Sequence, residues 1–172
     1  MSRLEILIAP DPRLRSVAKP VAAIDETVRR TLDHMLEAMY DAPGIGLAAP
    51  QVGIDQRLVV LDISDKDTPP APLKLINPEI TWRSDERAAY EEGCLSLPNI
   101  FEMVERPSRI RATYLDETGE RQEIEADGLL ATCFQHEVDH LDGVLFVDYL
   151  SRLKRDVIMR KMKKLRRTKG LD

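Results

Sequence analysis

A chain of 172 residues, 43% hydrophobic and 32% charged, is long enough to bury one sizeable core and too rich in apolar side chains for wholesale disorder, so one domain over residues 1–172 is expected. No apolar run approaches the roughly 20 residues that span a bilayer. The start, Met1 to Pro10, has one basic residue, an acid at Glu5 and too short an apolar stretch for a signal peptide, which points to no membrane role and a cytoplasmic location.

The net charge of −5 hides an asymmetry: residues 152–172 carry ten Lys/Arg against two Asp/Glu, so a basic tail follows an acidic body. Cys94 and Cys133 are the two cysteines, which excludes a disulfide framework and makes metal binding or simple burial the better account of each.

In chain order, Pro10-Asp11-Pro12 and Lys19-Pro20 leave room for a short helical turn only. A helix is predicted from near Asp25, where Val28, Leu32, Met35, Leu36 and Met39 recur at helical spacing, and it ends before Pro43-Gly44. Arg57 to Ile63 reads as a strand, and a loop marked by Pro69, Pro70 and Pro72 leads to another at about Leu73 to Ile76, which Asn77-Pro78 closes or bends. Asp116 to Gly119 looks like a hairpin turn between strands at about Arg109–Leu115 and Arg121–Glu125. With Asp127 as N-cap, Leu129 to Leu141 reads as a largely apolar helix stopping at Gly143. Ser151 caps a last helix whose Leu153, Val157, Ile158, Met162 and Leu165 form an apolar stripe. Strands before and between helices, without regular alternation, predict an α+β fold: antiparallel strands around the Leu129–Leu141 helix, plus a C-terminal helix.

The sharpest chemical signal is His136-Glu137-Val138-Asp139-His140 on that helix. Residues four apart stack about 6 Å along the axis, so both imidazoles can converge on one metal with Glu137 close by. Two histidines on a solvated face would give the same five letters. A catalytic site needs a third protein ligand and an open position for water. Cys94, Cys133, Asp139 and His34 are the candidates. Cys133 lies seven residues before His140, about 10 Å along the axis, and reads better as a small residue packed behind the site. Asp139 is well round the helix and suits a supporting hydrogen bond, and His34 beside Asp33 reads as a solvated histidine. That makes Cys94, in Glu92-Gly93-Cys94-Leu95-Ser96-Leu97-Pro98, the favourite; there Gly93 allows close backbone approach and Pro98 is expected to stop further pairing. A third segment, Gly44-Ile45-Gly46-Leu47-Ala48-Ala49-Pro50-Gln51-Val52-Gly53, lacks the phosphate-loop pattern and in isolation reads as a tight turn, though Gln51 offers an N–H suited to an oxyanion.

Taken together, G-I-G-L-A-A-P-Q, E-G-C-L-S-L-P and Q-H-E-V-D-H-L-D-G, in this order and separation, resemble the three signature motifs of peptide deformylases. The resemblance extends to Asp11–Arg15 and Leu145–Leu150 and covers about residues 4–165. It implies hydrolysis of the formyl group from N-terminal formyl-methionine of new polypeptides, giving formate and a free amine. It further implies one divalent metal on Cys94, His136 and His140 with water in the fourth position. Ferrous iron is expected natively, with zinc, nickel or cobalt as substitutes. Glu137 becomes the general base and acid, and the Gln51 amide with the Leu95 backbone N–H stabilises the oxyanion. The peptide lies along Ile45-Gly46 and Gly93 as an added strand, and the methionine pocket is walled by Ile45, Tyr90, Glu92, Leu129, Thr132, Cys133 and His136.

Two departures from the family pattern stand out: no arginine in Asn99-Ile100-Phe101, and Thr132 where an aliphatic residue is common. The alternative enzyme class is a zinc endopeptidase of the H-E-x-x-H type, although no third His follows at the metzincin spacing. The basic tail is either an ordinary amphipathic helix or a weak, salt-sensitive ribosome contact without sequence-specific nucleic-acid recognition.

Overall fold

A strand whose residues are all buried must be covered on both faces, and Leu58–Leu61 meets that description at every position. In the computed structural model, which describes residues 3–171, the elements in order are α1 (Glu26–Asp41), β1 (Gly46–Ala48), β2 (Leu58–Leu61), β3 (Leu73–Arg83), β4 (Arg87–Cys94), β5 (Leu97–Pro107), β6 (Arg109–Leu115), β7 (Arg121–Asp127), α2 (Gly128–Leu141) and α3 (Arg152–Thr168). Short 3-10 turns lie at Pro12–Arg15, Ala49–Val52 and Phe146–Tyr149. Five strands form one antiparallel sheet ordered β1-β2-β3-β6-β7, and β4-β5 forms a separate hairpin. The α+β expectation holds.

The alternation along β2 divides the core. Val59 and Leu61 join Leu75, Ile110 and Ala112 against Phe134, Val138 and Leu141 of α2. Leu58 and Val60 face the other way, with Ile76, onto Val28, Leu32, Met35 and Met39 of α1. Each such side chain contributes on the order of 1.5–3 kcal/mol when fully buried. A third cluster joins Ile8, Ala9 and Leu14 of the N-terminal segment to Leu97, Ile100 and Val104 of β5, Phe146, and Ile158 and Met162 of α3. The helices start as expected: the Asp25 side chain accepts from the Val28 N–H and Ser151 from the Lys154 N–H. Asp127 precedes α2 without a side-chain cap bond.

Of the two outcomes expected at Asn77-Pro78 the structure has the bend: β3 runs on to Arg83, Asn77 takes φ +51, its amide exchanges two hydrogen bonds with the Val21 backbone, and the register against β6 slips between Ile76 and Glu79. The structure departs from the sequence reading in three places. Pro98 does not stop pairing. Cys94 faces Leu97 and Gly93 faces Phe101, so Pro98, Asn99 and Ile100 bulge out and the ladder resumes beyond them. Gly46–Ala48 is a strand leading into a 3-10 turn, not a bare turn. On α3 only Ile158 and Met162 of the stripe are buried, and Leu153 is 74% exposed.

The β6–β7 turn is held by one carboxylate. Asp116 accepts from the Thr118 N–H and hydroxyl, the Glu120 N–H and the Gln122 side-chain amide. These bonds, Thr118 and Gln122 foremost, pull its pKa from 3.8 to about 2. A depressed carboxylate stabilises the fold above its unfolded pKa and loses that contribution as pH falls through the folded value. Asp116→Ala is expected to lower the melting temperature at neutral pH. The gap to wild type should close between about pH 4 and pH 2 in thermal melts across that range.

Candidate metal centre and substrate cleft

One side of α2 is committed to the sheet through Phe134, Val138 and Leu141; His136 and His140 lie on the other side, and Glu137 lies between the two, toward β1. All three are buried. Cys94, the last residue of β4, meets them: its Sγ lies 3.3 Å from His140 Nε2, and the two imidazole Nε2 atoms are 3.2 Å apart. Tetrahedral coordination with a thiolate at about 2.3 Å and imidazoles at about 2.1 Å separates donor atoms by roughly 3.3–3.6 Å. Among the described residues Cys94, His136 and His140 are the one His/Cys/Asp/Glu group whose ligand atoms could hold a metal ion together.

The electrostatics agree with a cation at that point. Burial opposes charge on both imidazoles and His136 pushes His140 further down. On His136 itself burial is outweighed by Cys94, Glu137 and Glu92, so the cluster draws positive charge inward. Burial, with the charges of Glu92 and Asp139 reinforcing it against His136 and Arg106, raises the Glu137 carboxyl to about 7. Its Oε1 has no hydrogen-bond partner, nor does His140 Nδ1. The other oxygen lies against β1, since a Cβ on Gly46 would stand 2.5 Å from Glu137 Oε2. Only glycine lets that strand approach.

A buried ion-pair network sets the imidazole orientation. Glu92 accepts from His136 Nδ1 at 2.8 Å and receives two bonds from Arg106, at 2.7 and 3.0 Å. Arg106 also bonds Asp139 at 2.8 Å, and the Tyr149 hydroxyl donates to the same carboxylate. Fixing one imidazole nitrogen with a carboxylate leaves the other, unprotonated, for a metal. Sequence reasoning missed Arg106 because β5 was not read as a strand. In the structure Val104 and Arg106 are both buried, two residues apart on one face of β5, but the residues around them do not alternate cleanly between apolar and polar. Asp139 supports the ligands only through Arg106. The Arg15–Asp148 pair ties together the two outlying segments that the sequence singled out.

A cleft of about 540 Å³ opens in front of the cluster, lined by Ile45, Gly46, Gln51, Glu92, Gly93, Leu95, Leu129, Thr132, Cys133, His136 and Glu137, with Pro98–Phe101 on one side. Tyr90 is not among its lining residues, although its hydroxyl lies near Gly128. Gln51 is 1% exposed, and its Oε1 accepts from the Ala48 N–H while Nε2 points toward Cys94 Sγ at 3.5 Å. Leu95 sits in the turn between β4 and β5. Cys133 approaches the Ile45 carbonyl at 3.8 Å and burial raises its pKa well above the usual thiol range, which keeps it a neutral wall residue. His34 lies half-buried on α1, outside the cluster.

Residues 3–156 match the family model described as polypeptide deformylase. The chain is 57% identical over 162 residues to a peptide deformylase of Methylocella silvestris, covering 92% of this chain and 83% of that one. It is 54% identical to a peptide deformylase of Rhizobium meliloti, covering 96% and 95%. Among solved structures, a peptide deformylase from Legionella pneumophila superposes with TM-score 0.89 at 44% identity over 99% of both chains. One from Ehrlichia chaffeensis in complex with actinonin superposes with TM-score 0.92 at 42% identity, covering 97% and 99%.

The two cysteines provide a direct test of the donor set. Cys94→Ala is expected to lower metal content at least about tenfold in elemental analysis of purified protein, because two imidazoles rarely suffice for a tight site. Cys133→Ala should retain nearly the full content. The reverse pattern would move the ligand from β4 to α2.

Proposed function

The chain belongs to the polypeptide deformylase family, and from that premise we propose that it hydrolyses the formyl group from formyl-methionyl nascent peptides at the cleft in front of Cys94, His136 and His140. The observation that carries the reading is the convergence of that donor set with a buried Glu137 at the base of the cleft. The zinc endopeptidase alternative is not favoured, since the E-G-C-L-S-L-P segment has no task in it.

On this reading Cys94, His136 and His140 hold one divalent ion, and ferrous iron is the native species, with zinc, nickel or cobalt as replacements. When bound, such an ion acidifies water and polarises a carbonyl. Glu137 takes the proton of the attacking water and delivers it to the departing amine, the work of one buried carboxyl at the base of the cleft. The Gln51 side-chain amide and the Leu95 backbone N–H meet the oxygen that becomes negative. Glu92 fixes the His136 ring, and the bidentate Arg106 fixes Glu92. Removing one member of such a buried pair leaves an unmatched charge and costs about 3–5 kcal/mol.

Substrate grip is mainly backbone. β1 is an edge strand, paired with β2 alone, so Ile45-Gly46 can accept a peptide as a further strand, with Gly93 opposite. The methionine side chain enters the wall formed by Leu129, Thr132 and Cys133. No described helix is long and apolar enough to cross a membrane. We place this activity in the cytoplasm, where nascent chains emerge.

The basic helix α3 is proposed to touch ribosomal RNA weakly. Lys161, Lys164 and Arg167 are exposed while Ile158 and Met162 anchor the helix to the core. Such a contact is electrostatic and salt-sensitive.

Two experiments test these assignments. Metal-loaded protein should release formate from formyl-Met-Ala and leave an unblocked peptide intact. Glu137→Gln should keep its metal while losing at least about 10²-fold in turnover; retained turnover would remove Glu137 from the mechanism. Separately, reversing Lys161, Lys164 and Arg167 to Glu should reduce ribosome co-sedimentation at low salt without changing turnover of the free peptide. Equal sedimentation by both proteins would leave α3 a purely structural helix.

A further inference from the structure

Ser96 is fully buried one residue beyond Leu95, and no role has been given to it. Its hydroxyl oxygen lies 3.1 Å from Gln51 Nε2. An amide group has two acceptor lone pairs on oxygen and two N–H donors on nitrogen. The Ala48 N–H bonds Gln51 Oε1 at 2.9 Å, which fixes which end of the amide is which. With the oxygen so held, one Nε2 hydrogen goes to Ser96 Oγ. The other is left facing the Cys94 side of the cleft, where Nε2 is 3.5 Å from Sγ.

We propose that Ser96 is a positioning residue: its hydroxyl accepts one Gln51 N–H and thereby aims the second N–H at the oxygen that gains charge during formyl hydrolysis. The proposal rests on the reading of Gln51 as an oxyanion donor and adds what holds it in place. Without Ser96 the amide keeps its anchor at Oε1 and only the long 3.5 Å contact from Nε2 to Cys94 Sγ, so it turns more freely about its last torsion, which is intrinsically soft. Preorganisation is what gives such a donor its value in a transition state, so a donor free to turn is worth less than a fixed one.

The backbone makes the same connection. Leu7 N–H bonds the Gln51 carbonyl at 2.7 Å, and Ala9 N–H bonds the Ser96 carbonyl at 2.9 Å. The segment Leu7 to Ala9 therefore ties the donor turn and the Cys94 loop to one short piece of chain, and the Gln51–Ser96 separation follows from that double tie. Ile8 and Ala9 are themselves packed in the cluster with Leu97 and Phe146. The hydroxyl is the side-chain end of a junction already set by main-chain bonds.

The test uses the metal-loaded full chain and four proteins: wild type, Ser96→Ala, Gln51→Ala and the double variant. Gln51→Ala is expected to lower kcat by about 10²–10³-fold on formyl-Met-Ala, the range for removing one oxyanion donor. Ser96→Ala should lower kcat about tenfold with KM and metal content little changed, and the double variant should match Gln51→Ala alone, since Ser96 acts only through Gln51. Ser96→Thr, which keeps the hydroxyl, should recover part of the loss. A readout independent of turnover is the Gln51 side-chain amide signal in protein labelled with 15N-glutamine. It should be protected from water exchange in wild type and lose that protection in Ser96→Ala. Protection unchanged by Ser96→Ala, or a double variant slower than Gln51→Ala by the full Ser96 factor, would overturn the proposal. If Gln51→Ala left kcat unchanged while the amide signal still depended on Ser96, the oxyanion reading would fail and the Ser96 contact would stand as structural only.

Discussion

A guanidinium taken out of water has to be met by acceptors on more than one side, and the arrangement around Arg106 follows from that requirement. Its side chain is 5% exposed, and the carboxylates that satisfy it come from β4 and α2. Those are the two elements that carry the thiol and the imidazoles. The pair Glu92–Arg106 therefore cross-braces the site: the strand bearing Cys94 and the helix bearing His136 and His140 keep their spacing through one rigid planar group. Total stability of a domain is typically about 5–15 kcal/mol, so a brace whose rupture costs about 3–5 kcal/mol constrains the whole fold as well as the site.

The helix α2 works on two fronts. Phe134, Val138 and Leu141 bury it against the five-stranded sheet, while the His136, Glu137 and His140 face is closed by β1 and the β4–β5 hairpin. Burial of the second face is what raises Glu137 and leaves one of its oxygens without a partner. A polar atom stranded in this way is costly in a purely structural setting. It is intelligible where a reacting water must be met. The N-terminal segment takes part through the backbone bonds of Leu7 and Ala9, and its Arg15 clasps Asp148 beyond α2.

How much of this was legible beforehand differed by element, for physical reasons. α1, α2 and α3 were readable because helical spacing repeats over several turns and Asp25 and Ser151 mark the starts. The β6–β7 hairpin was readable because Asp116 to Gly119 has turn chemistry. β4 and β5 were not read as strands: β4 is exposed or half-buried on both faces except at Glu92, so no apolar alternation marks it, and Pro98 pointed to an end that a bulge in fact absorbs. Losing β5 hid Arg106. In the site itself, the His136/His140 spacing was legible from helix geometry, and Cys94 was separable from Cys133 by axial distance. The contacts of Gln51 were not, because they depend on a fold that brings residues 48, 51, 94 and 96 together across two segments.

The edge strand β1 is three residues long and stands between Pro43 and Pro50. Proline cannot donate to a ladder, so the edge proposed to accept a guest strand is bounded at both ends, and the Ala48 N–H is already taken by Gln51 Oε1. At about 3.4 Å per residue, three positions measure at most roughly 10 Å of extended chain. On the proposed reading this ruler sets how much of a nascent protein is inspected. The first few residues are registered by their main chain, and everything that follows hangs free in solvent. A long edge would make each new protein's sequence, and its tendency to form β structure, part of the recognition. A short one makes the enzyme indifferent to both, and it also denies other unfolded chains a template on which to aggregate. Generality of substrate and freedom from sticking thus come from the same brevity.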